Sequence, residues 1–272
     1  MACITCTNRV IMLRVGRISY ANVAPFFYFW HDAAIEFVKL PPKFLGKLAS
    51  EGRIDLAPLP VFDGLRLEET FEPLGGFGIA ATRKVMSVFL FSKKPIERLG
   101  GETIFLSAES STSVALLKLL LLEKYSLYNV EFSTISSVST YETATLMIGD
   151  KALKEFTLSG KHLYTYDLAQ LWHEWTSLPF TFARWVVRKS LPSADKLRLE
   201  ATISENLDRA ASHLEEIAAD ESRRTGIEQV ILLEYLRNFT FRLGPKENEG
   251  IDLFRGKLVR NGLLGSATAR EA

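Results

Sequence analysis

The chain has 272 residues, of which 47% are hydrophobic, and its 33 Lys and Arg against 32 Asp and Glu leave a net charge of +1. That length supports one large domain or two modest ones, each with its own core. Near-neutrality argues against nucleic acid as the main partner, because phosphate binding draws on a basic surplus; a small anion, which needs only a local cluster of donors, is not excluded.

Residues 1–11 carry both cysteines, Cys3 and Cys6, as a lone C-x-x-C. Structural zinc would require two further ligands, and a thioredoxin-type pair would follow a strand and open a helix; the sequence offers neither. Thr5, Thr7, Asn8 and Arg9 interrupt the apolar run that an export signal needs, and the first strand follows Met12 at once. Residues 1–11 are therefore read as a disordered extension or the product of an upstream start codon, and the protein is expected to be cytoplasmic. Apolar runs such as Leu119 to Leu122 fall far short of the about 20 residues that span a bilayer.

From Leu13 to about residue 190, short β-rich runs alternate with helical patterns. Strands are expected at 13–18, 35–39, 54–59, 85–92, 102–106, 129–133, 144–149, 162–166 and 182–188, and helices at 22–30, 42–51, 60–66, 112–124 and 168–175. Helices alone follow, at 203–224, 226–238 and 247–261. The alternation predicts an α/β protein with parallel sheets and helices on both faces. GGFG at 75–78 lies between strand-like runs and reads as a turn. The runs KVMSVFLFS (84–92) and FARWVVR (182–188) are apolar on both faces and are not followed by tight turns, which marks them as strands that cross between sheets.

Several residues are candidates for chemistry. No dinucleotide fingerprint, Walker loop, H-E-x-x-H or G-x-S-x-G is present, so no cofactor is expected. His31, His162, His173 and His213 show no ligand spacing, and His173, between aromatics in LWHEW, reads as a packing or surface residue. Asn22 stands where the first helix should begin, a common N-cap position. Ser110, Ser111, Thr112 and Ser113 precede the apolar helix VALLKLLLLEKY. Four hydroxyls are more than one cap requires, and a helix start with free N–H groups suits a carboxylate. Asp55, Asp150 and Asp167 each precede a helix-like segment and read as caps. Ser87, inside the apolar run Val85 to Phe91, must hydrogen-bond to backbone if buried, or else face a ligand cleft.

Six islands in one order carry a family resemblance: RISYANVAPF, GRIDLAP, KVMSVFLFS, SSTSVALLKLLL, LMIGDKAL and YDLAQLWHEWTSLPFTFARW. Together they resemble the motifs of the chorismate dehydratases of the futalosine route to menaquinone. The resemblance implies a lyase that dehydrates chorismate to 3-[(1-carboxyvinyl)oxy]benzoate without a cofactor, a metal, a nucleic acid or a membrane. It implies catalytic roles for Asn22 and Ser87 and substrate binding by Thr112 and Ser113, to which Ser111 and Arg17 are added as binding residues. It also implies a two-lobed, type-II periplasmic-binding-protein-like fold with a ligand cleft between lobes. Residues 12–88 plus 190–272 would form domain I, with 89–189 inserted as domain II. Four positions depart from the pattern: Arg83-Lys84 replace a Gly-Pro, Ser177 replaces the Gly of Thr-Gly-Leu-Pro, and Arg184 replaces a small or apolar residue. The alternatives are a non-catalytic protein that binds a small anion on the same fold, and the sister dihydroxynaphthoate synthase, whose opening motif, rich in Pro and Asp, is not matched here.

Overall fold

The computed structural model describes residues 12–135, 143–158 and 162–264; the tail with Cys3 and Cys6 lies outside the described residues. The first strand, β1 (Leu13–Ile18), buries Leu13, Val15 and Ile18. It lies parallel to β2 (Ile35–Leu40) on one side and to β3 (Leu56–Pro60) on the other. Three further strands complete this larger sheet: β4 (Phe71–Ala81), β10 (Phe180–Arg188) and β11 (Phe239–Arg242), in the order β11-β4-β10-β3-β1-β2. A smaller sheet has the order β7-β6-β8-β5-β9. Its members are β5 (Val88–Ser92), β6 (Thr103–Ser107), β7 (Glu131–Ile135), β8 (Ala144–Ile148) and β9 (Tyr164–Asp167).

Both sheets are mixed, not parallel as the alternation suggested. β5 runs antiparallel to β8 and β9, and β10 runs antiparallel to β3 and β4. These are the first strands after each passage between the sheets, and each is inserted between neighbours that run the other way. The membership of β10 also corrects the expected segment boundary. Residues 180–188 pair inside the larger sheet, so the chain has already returned there before residue 189. A nine-residue strand buried on both faces needs a neighbour on each side for its backbone groups, and β3 and β4 supply them.

Helices flank both sheets. On the N-terminal side they are α1 (Ala24–Phe27), α2 (Pro42–Ser50) and α3 (Val61–Arg66); then come α4 (Thr112–Leu119), α5 (Gly149–Leu158) and α6 (Leu168–Thr176). The C-terminal helices are α7 (Ser193–Ser212), α8 (Leu214–Thr225), α9 (Gln229–Arg237) and α10 (Pro245–Arg260). α7 and α8 replace a single expected helix over 203–224, with the break at His213. None of these helices is long and apolar enough to cross a membrane among the described residues.

The aromatic content of the islands is explained by packing. Phe26 and Phe27, from the first island, lie 5.4 and 5.5 Å from the Trp185 ring of the last, at the spacing favoured by aromatic pairs. GGFG is not a turn. It runs inside β4, where a Cβ on Gly78 would come within 2.7 Å of the Ala183 carbonyl oxygen, so the glycine permits close approach of β10.

Ser177 ends α6 at φ +61, a left-handed conformation that suits glycine, and its side chain is exposed. Ser177→Gly should therefore raise thermal stability by ~0.5–1 kcal/mol, the relief of strain exceeding the added freedom of the unfolded chain. A calorimetric melting temperature unchanged or lowered in the variant would show that Ser177 carries no such strain.

Candidate active site

A narrow cavity opens where the two sheets face each other, with walls from both. It holds about 490 Å³ of non-protein space. Asn22, Ser87, Ser110, Thr112 and Ser113 line it together with Tyr20, and Ile18, Ile79, Val88 and Phe182 give it apolar walls. Asn22 and Ser87, 65 positions apart by number, thus meet at one site.

Asn22 does not cap a helix. It lies inside a 3-10 turn (Ala21–Val23) whose N-cap position is Tyr20, and its Oδ1 is buried with no hydrogen-bond partner. The turn is capped from across the cavity instead. Asp150 accepts from the Ala21 N–H at 2.9 Å and takes the Arg224 guanidinium at 2.7 Å on its other oxygen. The preceding Gly149, at φ +68, is closed against the Tyr20 ring, which a Cβ would meet at 2.8 Å. Asp55 is likewise not a helix cap: it accepts from the Arg14 N–H at 2.9 Å and pairs with Arg188 at 3.3 Å.

Ser87 follows a strained turn, with Met86 at φ +59. Asp167 holds that turn. One carboxylate oxygen accepts from the Val85 and Met86 N–H groups at 2.9 and 2.8 Å, and the other caps α6 through Ala169 and Gln170. Burial pushes the Asp167 carboxyl up to about 6, against the pull of these four backbone donors. The Ser87 Oγ is buried and does not depend on backbone alone: it accepts from the Tyr235 hydroxyl at 2.9 Å, and the Val85 carbonyl lies 3.4 Å away, at the outer limit of a bond from its own hydrogen.

The hydroxyl run at α4 divides its work. Ser110 Oγ accepts from the Ser113 N–H at 3.1 Å and Thr112 Oγ1 from the Phe62 N–H at 3.1 Å, and both line the cavity. Ser111, expected in the binding set, turns away and donates to Asp63 at 2.7 Å. Arg17 is also outside the cavity. Ile18 lines it, and successive side chains of a strand alternate faces, so Arg17 points into a second, more open groove with Phe27, Trp30 and Arg224. There its guanidinium lies 5.2 Å from the centre of the Phe27 ring. Arg83 and Lys84 are exposed and line no part of the cavity. Arg184 is half-buried, with its Nε unpartnered, and burial lowers its pKa.

Tyr20, Asp63 and Tyr235 have no role in the sequence reading, and Ser110 enters it only as one of the four hydroxyls before α4. The Tyr20 hydroxyl donates to Glu109 at 2.6 Å, and burial together with that carboxylate drives its pKa upward. Among the described residues, no group of three or more His, Cys, Asp and Glu side chains is placed to hold a metal ion.

Fold and cavity together define a class: a two-lobed α/β protein with a cavity between its lobes. A protein of Archaeoglobus fulgidus superimposes with a TM-score of 0.76 at 16% identity, over 92% of this chain and 98% of that one. The periplasmic aliphatic sulphonate binding protein SsuA from Escherichia coli gives 0.64 at 16% identity, over 93% and 88%. The fold is periplasmic-binding-protein-like. A family model described as menaquinone biosynthesis matches residues 13–260, and the chain belongs to that family. The chorismate dehydratase of Thermus thermophilus is 32% identical over 259 residues, covering 88% of this chain and 93% of the relative.

Asp63 supplies a pH test of the α4 region. Burial raises its carboxyl to about 6, opposed by the Ser111 hydrogen bond. Its folded-state pKa lies above the unfolded value, so the stability it contributes is present in full at low pH and is lost as pH rises through about 6. The melting temperature of Asp63→Asn minus that of the native protein should therefore become more positive between pH 4.5 and 7.5. A flat difference would place the Asp63 carboxyl at an ordinary pKa.

Proposed function

We propose that this chain dehydrates chorismate to 3-[(1-carboxyvinyl)oxy]benzoate in the interlobe cavity. Removing the proton from the carbon that bears the enolpyruvyl ether gives a dienolate stabilised by the ring carboxylate. Loss of the neighbouring hydroxyl then makes the ring aromatic, and proton and hydroxyl leave together as water. The step requires a base, a stabiliser for developing negative charge, and a donor for the departing oxygen.

The observation that carries the reading is the composition of the wall. Among the described residues it holds Asn22, Ser87 and the hydroxyls of the α4 start but no Asp, Glu or His. Asn and Ser are poor bases near neutral pH, and Tyr20 is held as a neutral donor by Glu109. The base is then the enolpyruvyl carboxylate of the substrate itself. Asn22 and Ser87 stabilise charge and assist the departing hydroxyl, work for which one positioned donor is worth about 3–4 kcal/mol. Ser113, with Ser110 and Thr112, presents the start of α4 to a carboxylate, where N–H groups and the helix dipole favour an anion. The apolar walls suit the faces of the ring.

Purified protein incubated with chorismate and no added cofactor should develop the absorbance of an aromatic product; binding without conversion would leave a non-catalytic anion-binding protein. Asn22→Ala should retain its melting temperature, since it removes a buried acceptor without a partner and no cap. Its kcat should fall by two or more decades, at about 1.4 kcal/mol per decade. Turnover within threefold of the native protein would remove Asn22 from the chemistry.

A further inference from the structure

Tyr235 lies on α9, far along the chain from every motif island, and the reaction as written makes no use of it. Its side chain is fully buried, packed edge-on against Phe239 at 5.0 Å, and α9 rests on the turn that holds Asn22. Its hydroxyl donates to the Ser87 Oγ at 2.9 Å. No other hydrogen-bond partner of this hydroxyl exists among the described residues.

The direction of that bond matters. A serine hydroxyl has one hydrogen and two lone pairs. Were Ser87 the donor, the phenol hydrogen would be left buried without an acceptor, at a cost that the reverse arrangement avoids. With Tyr235 as donor, one lone pair of Ser87 is occupied and its hydrogen must point elsewhere. The Val85 carbonyl, at 3.4 Å, is at the outer limit of a hydrogen bond; the remaining direction is the cavity, which Ser87 lines. A hydroxyl that accepts one bond is also polarised to donate a stronger one. Burial keeps the phenol protonated, its pKa raised further by the charge of Asp150.

We propose that Tyr235 is a positioning residue that turns the Ser87 hydroxyl toward the substrate and strengthens it as a donor to the departing oxygen. The proposal rests on the dehydration reading above. It also explains why Ser87 stands on a strained turn gripped by Asp167: the grip sets the place of the oxygen, and Tyr235 sets the direction of its hydrogen.

A double-mutant cycle tests it, using the native protein, Tyr235→Phe, Ser87→Ala and the double variant. Tyr235→Phe should lower kcat for chorismate about tenfold, the scale of one lost hydrogen bond, with KM within twofold. In the Ser87→Ala background the same change should have no further effect on kcat. Equal losses in both backgrounds, or a native kcat in Tyr235→Phe, would overturn the proposal. Should Tyr235→Phe fold poorly, 3-fluorotyrosine placed at position 235, a stronger donor of nearly the same shape, should hold kcat at or above the native value; a fall to the Phe level would also overturn it. Native protein that leaves chorismate unchanged would overturn the dehydration reading and the positioning role of Tyr235 with it. Melting temperatures of the four proteins read the hydrogen bond separately: Ser87→Ala should lose stability, because it strands the phenol hydroxyl, and the double variant should recover part of it.

Discussion

The carboxylate of Asp167 is the point on which the site depends. It receives four backbone N–H groups, two from the passage that leaves the larger sheet and two from the first turn of the helix that leads back to it. One side chain therefore ties together both places where the chain moves between sheets. Charge-assisted hydrogen bonds to a buried carboxylate are among the stronger local interactions, and their total stabilises Met86 in a conformation that a methionine seldom adopts. Ser87 is the next residue. Its position is thus fixed by the connection between the lobes, and not by either sheet alone.

A second set of bonds reaches across the cavity. Tyr20 to Glu109, Ala21 to Asp150, Phe62 to Thr112 and Ser111 to Asp63 each link an element of the larger sheet with one that follows a strand of the smaller. Asn22 and Ser87 enter from opposite sides of this seam. The same bonds that join the lobes bring the two side chains to one cavity.

The islands were legible because their residue types answer to geometry. Gly149 and Asp150 stand side by side since one must clear the Tyr20 ring and the other must reach Ala21; Phe26 and Trp185 are aromatic because they pack on each other. The family resemblance located Asn22 and Ser87, and the structure unites them. Other features had no local signal. Tyr235 in LLEYLR has the pattern of any buried helical aromatic, and only the fold shows what its hydroxyl reaches. β11 has four residues and is too short for periodicity to register. Arg17 opens the first island, but the period of two that makes Ile18 a wall residue turns its neighbour outward. Asn22 stands at a cap position by sequence, but the capping group reaches the Ala21 N–H from Asp150, 129 positions further along the chain than Ala21, which no local pattern reveals.

The late arrival of β10 in the larger sheet bears on how the chain is made. β3 and β4 are synthesised early, but the strand that lies between them is residues 180–188. Until the ribosome has released that segment, the edges of both strands remain unpaired, and every residue of the smaller sheet must come first. Exposed strand edges are templates for wrong pairing, and contacts between distant parts of a chain form slowly. The nascent protein therefore carries an unfinished sheet while residues 82–179 are being made.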